Sequence, residues 1–220
     1  GEHFVVYGAT ALAAAINRGT TATAEPSTTT TILSKDFQIQ ADLSANKIPE
    51  PLKPLAAAIN AVKEHLGEKR GLKVTLQSNL PLRSGLGSSS SAAVATVAAS
   101  ALALGHRLPL DDIVALAMSA ERLVHKNPSG IDVQVSARGG LLLFSRSAQP
   151  ESIELKRRVR FVIACTGVER ETGALIERVR VWREQNPSLF NSLVDSASIL
   201  SRCCADSLSL GDIKRVGAIL

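Results

Sequence analysis

The succession of β-type and helical runs along these 220 residues predicts an α+β fold with at least one antiparallel sheet. Three observations carry that prediction. Threonine-rich and β-branched runs crowd the part of the chain before Leu80, with helical patterns set among them. A strand then passes through a glycine- and serine-rich turn straight into a long apolar helix. Past residue 164 only helical patterns follow.

In chain order, Phe4, Val5, Val6 and Tyr7 form a short β-type run that Gly8 ends. Residues 11–16 are alanine-rich and read as helical. Residues 20–24 and 28–33 read as antiparallel strands on either side of Pro26 and Ser27, followed by a strand over 37–41. Asn46, Pro49 and Pro51 mark 45–53 as a connector. Pro54 suits a first helical turn, and Leu55, Ile59, Val62 and Leu66 continue at helical spacing until Gly67 stops the helix. Leu72, Val74 and Leu76 alternate with Lys73, Thr75 and Gln77, the pattern of a strand buried on one face. Residues 91–104 are nearly all Ala, Val and Leu and read as a central, buried helix. A helix over 111–125 carries Ile113, Ala117, Ala120 and Val124 on its apolar side. Strands at 141–144 and 161–164 precede helices at 171–184, 189–206 and 210–220, and no internal repeat occurs.

Hydrophobic residues make up 45% and charged residues 20%, a globular balance, while aromatic residues are only 3%, so Ala, Leu, Val and Ile must build the core. The formal net charge is +5, but the basic residues are spread out, with one short cluster at 156–160 that reads as a solvated strand edge. A nucleic-acid binder concentrates its basic residues and adds stacking aromatics, so that class is set aside. The same balance suits an enzyme that handles anionic ligands. Cys165, Cys203 and Cys204 are odd in number and form no CxxC, which reads as reduced thiols in a cytoplasmic protein. No apolar run reaches the length of a membrane span and no leader is expected. The chain opens at Gly1 and stops inside an apolar helical pattern, so it reads as part of a longer protein.

The segment with the most chemistry is Pro81-Leu82-Arg83-Ser84-Gly85-Leu86-Gly87-Ser88-Ser89-Ser90-Ser91. Glycines there can take positive φ and bring the backbone close to a ligand. The first N–H groups of the following helix lack intrahelical partners and sit at the positive end of its dipole. Serine hydroxyls add donors. The segment is neither a Walker loop nor a Rossmann fingerprint; an anion site is the favoured reading of it, and a plain serine cap on a glycine turn is the alternative. Glu121 shares a stripe with Ala117 and Val124, which puts its carboxylate at the edge of the core or inside a cleft; on pattern alone a solvated flank is the simpler account. Asp132 follows Pro128 and Gly130, a rigid turn that can aim one side chain. Asp132 either caps that turn or takes a proton from a substrate hydroxyl while Glu121 and a serine hold Mg2+, the groups phosphoryl transfer requires. Trp182 falls on the stripe of Leu175 and Val179 and reads as packing.

Three segments, GEHFVVYG at 1–8, GLGSSSSAA at 85–93 and NPSGID at 127–132, stand in the order and spacing of one family. The chain resembles the GHMP kinases and, within them, the mevalonate branch, archaeal forms above all, across nearly all of its length. The resemblance implies a two-lobed fold. An N-terminal, ATP-binding lobe like the second domain of ribosomal protein S5 covers 1–157, and a truncated α/β C-terminal lobe covers 158–220. It implies that Pro81, Ser84, Gly85, Leu86, Gly87, Ser88, Ser89 and Ser90 hold the ATP phosphates, that Ser89 and Glu121 ligate Mg2+, and that Asp132 is the catalytic base. His3 and Thr172 match residues at the mevalonate pocket, and Glu2, beside them, is counted with the substrate side. The implied reaction is ATP-dependent phosphorylation of mevalonate to 5-phosphomevalonate, by a cytoplasmic enzyme that needs neither nucleic acid nor membrane, with room for a homodimer. The family's preceding lysine-bearing strand and its third, glycine-rich motif do not occur in these residues, and Arg138 stands where the family often has an aromatic or small polar side chain. Another small-molecule kinase of the family, or a catalytically silent binding protein of the same fold, is the alternative.

Overall fold

The chain folds as a mixture of helices and two sheets in a computed structural model that describes residues 4–45, 47–80, 85–124, 128–164 and 172–220, without the side chains of 124 and 172–176. It divides into two compact units, one of Ile16–Gly139 and one of Gly1–Ala15 with Gly140–Leu220. This division follows a different line from the expected 1–157 and 158–220. Its cause is a strand pairing: β1 (Ala11–Ala14) runs antiparallel to a strand just after Gly140, so the start of the chain belongs with its second half. Residues 11–16 read as helical because alanine favours helices, and here the pairing overrides that propensity.

The unit of Ile16–Gly139 contains β2 (Thr20–Ser27), β3 (Thr31–Ser34), β4 (Ile39–Asp42) and β5 (Gly71–Ser78) in the order β2-β5-β3-β4. The two threonine-rich runs are strands but not neighbours. Strand β5 inserts between them, antiparallel to β2 and parallel to β3. This leaves β2 at the sheet edge, where Pro26 opposes Leu72 without removing an interior ladder bond. The expected strand at 37–41 begins at Ile39, because Phe37 and Gln38 form the turn and Gln38 takes φ +52°.

This unit also contains the α-helices α1 (Lys53–Leu66), α2 (Ser88–Ala103), α3 (Leu110–Val124) and α4 (Ile131–Arg138). Gly67 ends α1 in the left-handed conformation, as its position in the sequence predicts. Helix α2 lies against β2 and β5 and touches α1, α3 and α4. Its small side chains permit that central place: Ala93, Val97 and Ala101 are buried together with Leu72 and Val74 of the sheet and Ile59 and Val62 of α1. The opposite face of β5 carries Lys73, Thr75 and Gln77, as the alternation requires.

Gly71 opens β5 where the backbone of the turn between β2 and β3 passes very close. A Cβ there would stand 2.6 Å from the Thr29 carbonyl oxygen and 2.7 Å from that of Ser27. Backbone atoms cannot swing aside, so Gly71→Ala is expected to destabilise the protein by about 2 kcal/mol, read from the midpoint of urea unfolding.

The other unit holds the sheet β1-β6-β7, with β6 (Leu141–Phe144) in the centre and β7 (Glu151–Ser152) at the edge. It also holds α5 (Thr172–Gln185), α6 (Pro187–Leu210) and α7 (Ile213–Ile219). The run at 4–7 is not a strand. Val5–Tyr7 form one 3-10 turn closed by Gly8 at φ +97°, with Val5 buried. Phe4, Tyr7 and Trp182 gather around the ring of Phe190 at 5.6, 4.9 and 5.9 Å, and the Arg183 guanidinium stacks over Tyr7 at 5.0 Å. Trp182 does pack on Phe190, although part of it stays exposed. Residues 161–164, expected as a strand, are in none, and Val162 is 97% exposed. A β-branched run has strand propensity, but without a neighbouring strand it has no ladder to join. The basic residues at 156–160 are likewise outside any strand. Cys203 and Cys204 are free thiols, and burial pushes that of Cys204 up from its ordinary pKa.

Candidate active site

Strand β5 ends at Ser78, and the chain returns to helical structure at Ser88, three residues before the expected start at residue 91. The serines therefore belong to the helix itself. Gly85 and Gly87 both take positive φ, +73° and +69°, and Gly87 caps α2 without a side-chain partner. The first helical bond runs from the Ser91 N–H to the Gly87 carbonyl, 2.9 Å, which leaves the N–H groups of Ser88, Ser89 and Ser90 outside the helical ladder. Three donors at the positive end of a 16-residue helix form an anion-binding geometry.

The four serines divide their work by helical phase. Ser88 and Ser89 are half-buried at the turn. Ser90, 2% exposed, points inward and donates to Glu121 Oε1 at 2.6 Å. Ser91 Oγ accepts from the Thr20 N–H at 2.9 Å, tying the helix to the start of β2.

Glu121 comes from α3 and is 4% exposed. The solvated-flank account of this residue is thereby overturned: α3 packs on α2, and Glu121 follows Ala117 one turn on along the buried side. A buried carboxylate is costly unless it is hydrogen-bonded or meets a cation, and the Ser90 hydroxyl supplies one charge-assisted bond.

Asp132 stands in the first turn of α4, where a negative side chain is favourable, and it is exposed. The turn through Pro128 and Gly130 was legible; the eight-residue helix it starts was not. A Cβ built on Gly87 would lie 3.7 Å from both Cβ and Oδ1 of Asp132. The backbone of the glycine turn thus passes directly beside this carboxylate. At the far end of α4, Arg138 donates through Nε to Gln134 Oε1 at 2.7 Å and pairs with Asp111 at the start of α3. Arg138, unusual by sequence, ties the helix bearing Asp132 to the helix bearing Glu121.

Two carboxylates, from α3 and α4, therefore meet the first turn of α2. The donors there are oxygens, the ligand type magnesium takes. Among the described residues no three His, Cys, Asp or Glu side chains gather into a metal cage. Such a donor set fits an ion shared between one carboxylate, a hydroxyl and phosphate oxygens. Glu2, His3, Pro81 and Ser84 lie outside the described residues, as does the side chain of Thr172. On β2 and β5, Thr21, Thr23, Thr75 and Gln77 line a cavity of about 270 Å³ together with Lys35 and Asn79. None of the residues singled out from the sequence lines it.

Gly87 is the point where conformation and proximity combine. Gly87→Ala is expected to cost about 1–2 kcal/mol in left-handed strain and to weaken anion binding at the first turn of α2, measured by titration calorimetry with inorganic triphosphate. Gly67→Ala is the control: Gly67 shares the left-handed conformation, φ +66° and ψ +23°, and nothing lies within 4 Å of an added Cβ, so it carries the strain away from the site.

Residues 53–140 match the family described as GHMP kinases N terminal domain, a span that contains the turn, Glu121 and Asp132. The chain is 30% identical over 232 residues to the mevalonate kinase of Aeropyrum pernix, covering 100% of this chain and 70% of that one. With the mevalonate kinase of Thermococcus sibiricus the identity is 32% over 210 residues, covering 89% of this chain and 62% of the relative. Among solved structures, L. major mevalonate kinase in complex with R-mevalonate matches with a TM-score of 0.78 at 26% identity, over 100% of this chain and 68% of that one. The chain thus spans between 62% and 70% of the length of these relatives.

Proposed function

Because this chain belongs to the mevalonate kinase family of the GHMP kinases, we propose that the full-length protein transfers the γ-phosphoryl group of ATP to the 5-hydroxyl of mevalonate. The products are 5-phosphomevalonate and ADP. The family and the fold expected from the motifs both hold. The observation that carries the chemistry is the convergence of two carboxylates on the first turn of α2, Glu121 through its 2.6 Å bond with Ser90 and Asp132 beside Gly87.

In this reading the N–H groups of Ser88 and Ser89 bind terminal phosphate oxygens, and the positive end of α2 offsets charge that builds there in the transition state. Glu121 and the Ser89 hydroxyl would hold Mg2+, which when bound neutralises phosphate charge. Asp132 accepts the proton of the substrate hydroxyl as its oxygen attacks phosphorus. Phosphoryl transfer depends chiefly on such positioning and charge compensation. Glu2, His3 and Thr172 are assigned to the mevalonate side. The 157/158 border is kept as the boundary between the family's two lobes, and the free thiols of Cys203 and Cys204 fit a reducing, cytoplasmic setting. Among the described residues no helix is long and apolar enough to cross a membrane.

The test offers mevalonate, galactose and homoserine separately to the full-length protein and follows ADP release. Turnover with mevalonate alone is expected. Turnover with another alcohol and none with mevalonate overturns the substrate assignment. ATP binding without turnover on any of them supports a silent binding protein instead.

A further inference from the structure

We propose that Ser90 is a positioning residue: its buried hydroxyl orients the Glu121 carboxylate toward a divalent cation and does not contact phosphate itself. The inference rests on the reading above that Glu121 ligates the metal. A hydroxyl has one proton to give, and Ser90 gives it to Glu121 Oε1 at 2.6 Å. That proton is then not available to a phosphate oxygen, unlike those of Ser88 and Ser89, which remain half-buried at the turn.

Burial supports the division. Ser90 is 2% exposed and continues the inward stripe of Ala93, Val97 and Ala101, so its side chain faces the interior rather than a ligand at the helix start. Glu121 arrives on α3 from the other side of the same packed interface. A glutamate has three side-chain torsions. A short, charge-assisted bond to a side chain locked in a packed helix removes much of that freedom before any metal arrives. The bond also offsets part of the cost of keeping a carboxylate away from water. Partners that orient a metal-ligating carboxylate affect metal affinity by about 10–100-fold when removed.

The experiment uses the full-length protein, Ser90→Ala and Ser90→Thr. Mn2+ binding in the presence of a non-hydrolysable ATP analogue is read by electron paramagnetic resonance. Affinity for the same analogue without metal is read by calorimetry, and folding by the thermal midpoint. Ser90→Ala is expected to bind Mn2+ about tenfold more weakly with its metal-free nucleotide affinity intact, and Ser90→Thr, which keeps the hydroxyl, to recover Mn2+ binding. Should Ser90→Ala not fold, Ser90→Cys, whose thiol is a weak donor of similar size, is read in the same way.

Parental Mn2+ affinity in Ser90→Ala overturns the proposal. So does an equal loss of metal-free nucleotide affinity, which makes Ser90 a phosphate contact. If the wild-type protein binds Mn2+ with nucleotide yet phosphorylates no mevalonate, the substrate reading fails and the role of Ser90 stands. If it phosphorylates mevalonate while Ser90→Ala binds Mn2+ normally, only the role of Ser90 fails.

Discussion

Asp132→Asn is expected to lower kcat of the full-length protein by about 10²- to 10⁴-fold while leaving ATP affinity nearly unchanged. Asparagine has the shape of aspartate but accepts no proton at neutral pH, so the change removes the base and little else. The position tolerates it: Asp132 is exposed, and it stands on the first turn of a short helix, where losing a negative side chain costs only a few tenths of a kcal/mol. Its carboxylate lies beside the backbone of Gly87, so a binding role in place of a proton-transfer role is a real competitor. The two separate cleanly. Loss of binding raises the calorimetric dissociation constant for the nucleotide, whereas loss of the base lowers kcat with that constant unmoved. Near-parental kcat in Asp132→Asn would falsify the assignment.

Glu121→Gln is expected to act differently. Glutamine fills the same volume and can still accept from the Ser90 hydroxyl, but it carries no charge for the cation. The Mg2+ concentration for half-maximal activity is expected to rise at least about tenfold, with kcat recovering at high Mg2+. A carboxylate buried for structural reasons alone would leave Mg2+ dependence untouched and change only stability. Mild and equal effects of the two substitutions, on the same parameter, contradict the separation of proton acceptor and metal ligand.

Much of this arrangement was legible from local pattern. Gly67 closed α1, the alternation of Leu72, Val74 and Leu76 marked the buried face of β5, and the turn with its serines marked the start of α2. What local pattern lacked was partners. Residues 11–16 read as helix because alanine prefers helices in isolation, and only pairing with Leu141–Phe144 makes Ala11–Ala14 a strand. The two threonine-rich strands looked like neighbours because they are close in sequence, and nothing local announced β5 between them. Val5–Tyr7 and residues 161–164 failed in the same way, as β-branched runs without a ladder.

At the site, the carboxylates were found by type and spacing, but the burial of Glu121 was not. Extending the stripe of Ala93 and Val97 back by three residues falls on Ser90, so helical phase alone marks that serine as inward-facing. The same argument carried from Val114 and Ala117 falls on Glu121. Two polar residues at inward positions of two apolar stripes are a reason to expect that they meet, and they do, at 2.6 Å. Helix α4 was hidden by Pro128 and Gly130, which read as a turn although they serve as the entry to a helix.

The position of a bound ion and nucleotide puts the whole account at risk in one step. Crystals of the full-length protein grown with Mn2+ and a non-hydrolysable ATP analogue give an anomalous difference peak for the metal and density for the phosphates. That peak is expected within ligating distance of the Glu121 carboxylate, with the terminal phosphate against the backbone of Ser88 and Ser89 and Asp132 facing its open side. Metal and phosphates bound away from the first turn of α2 would contradict it.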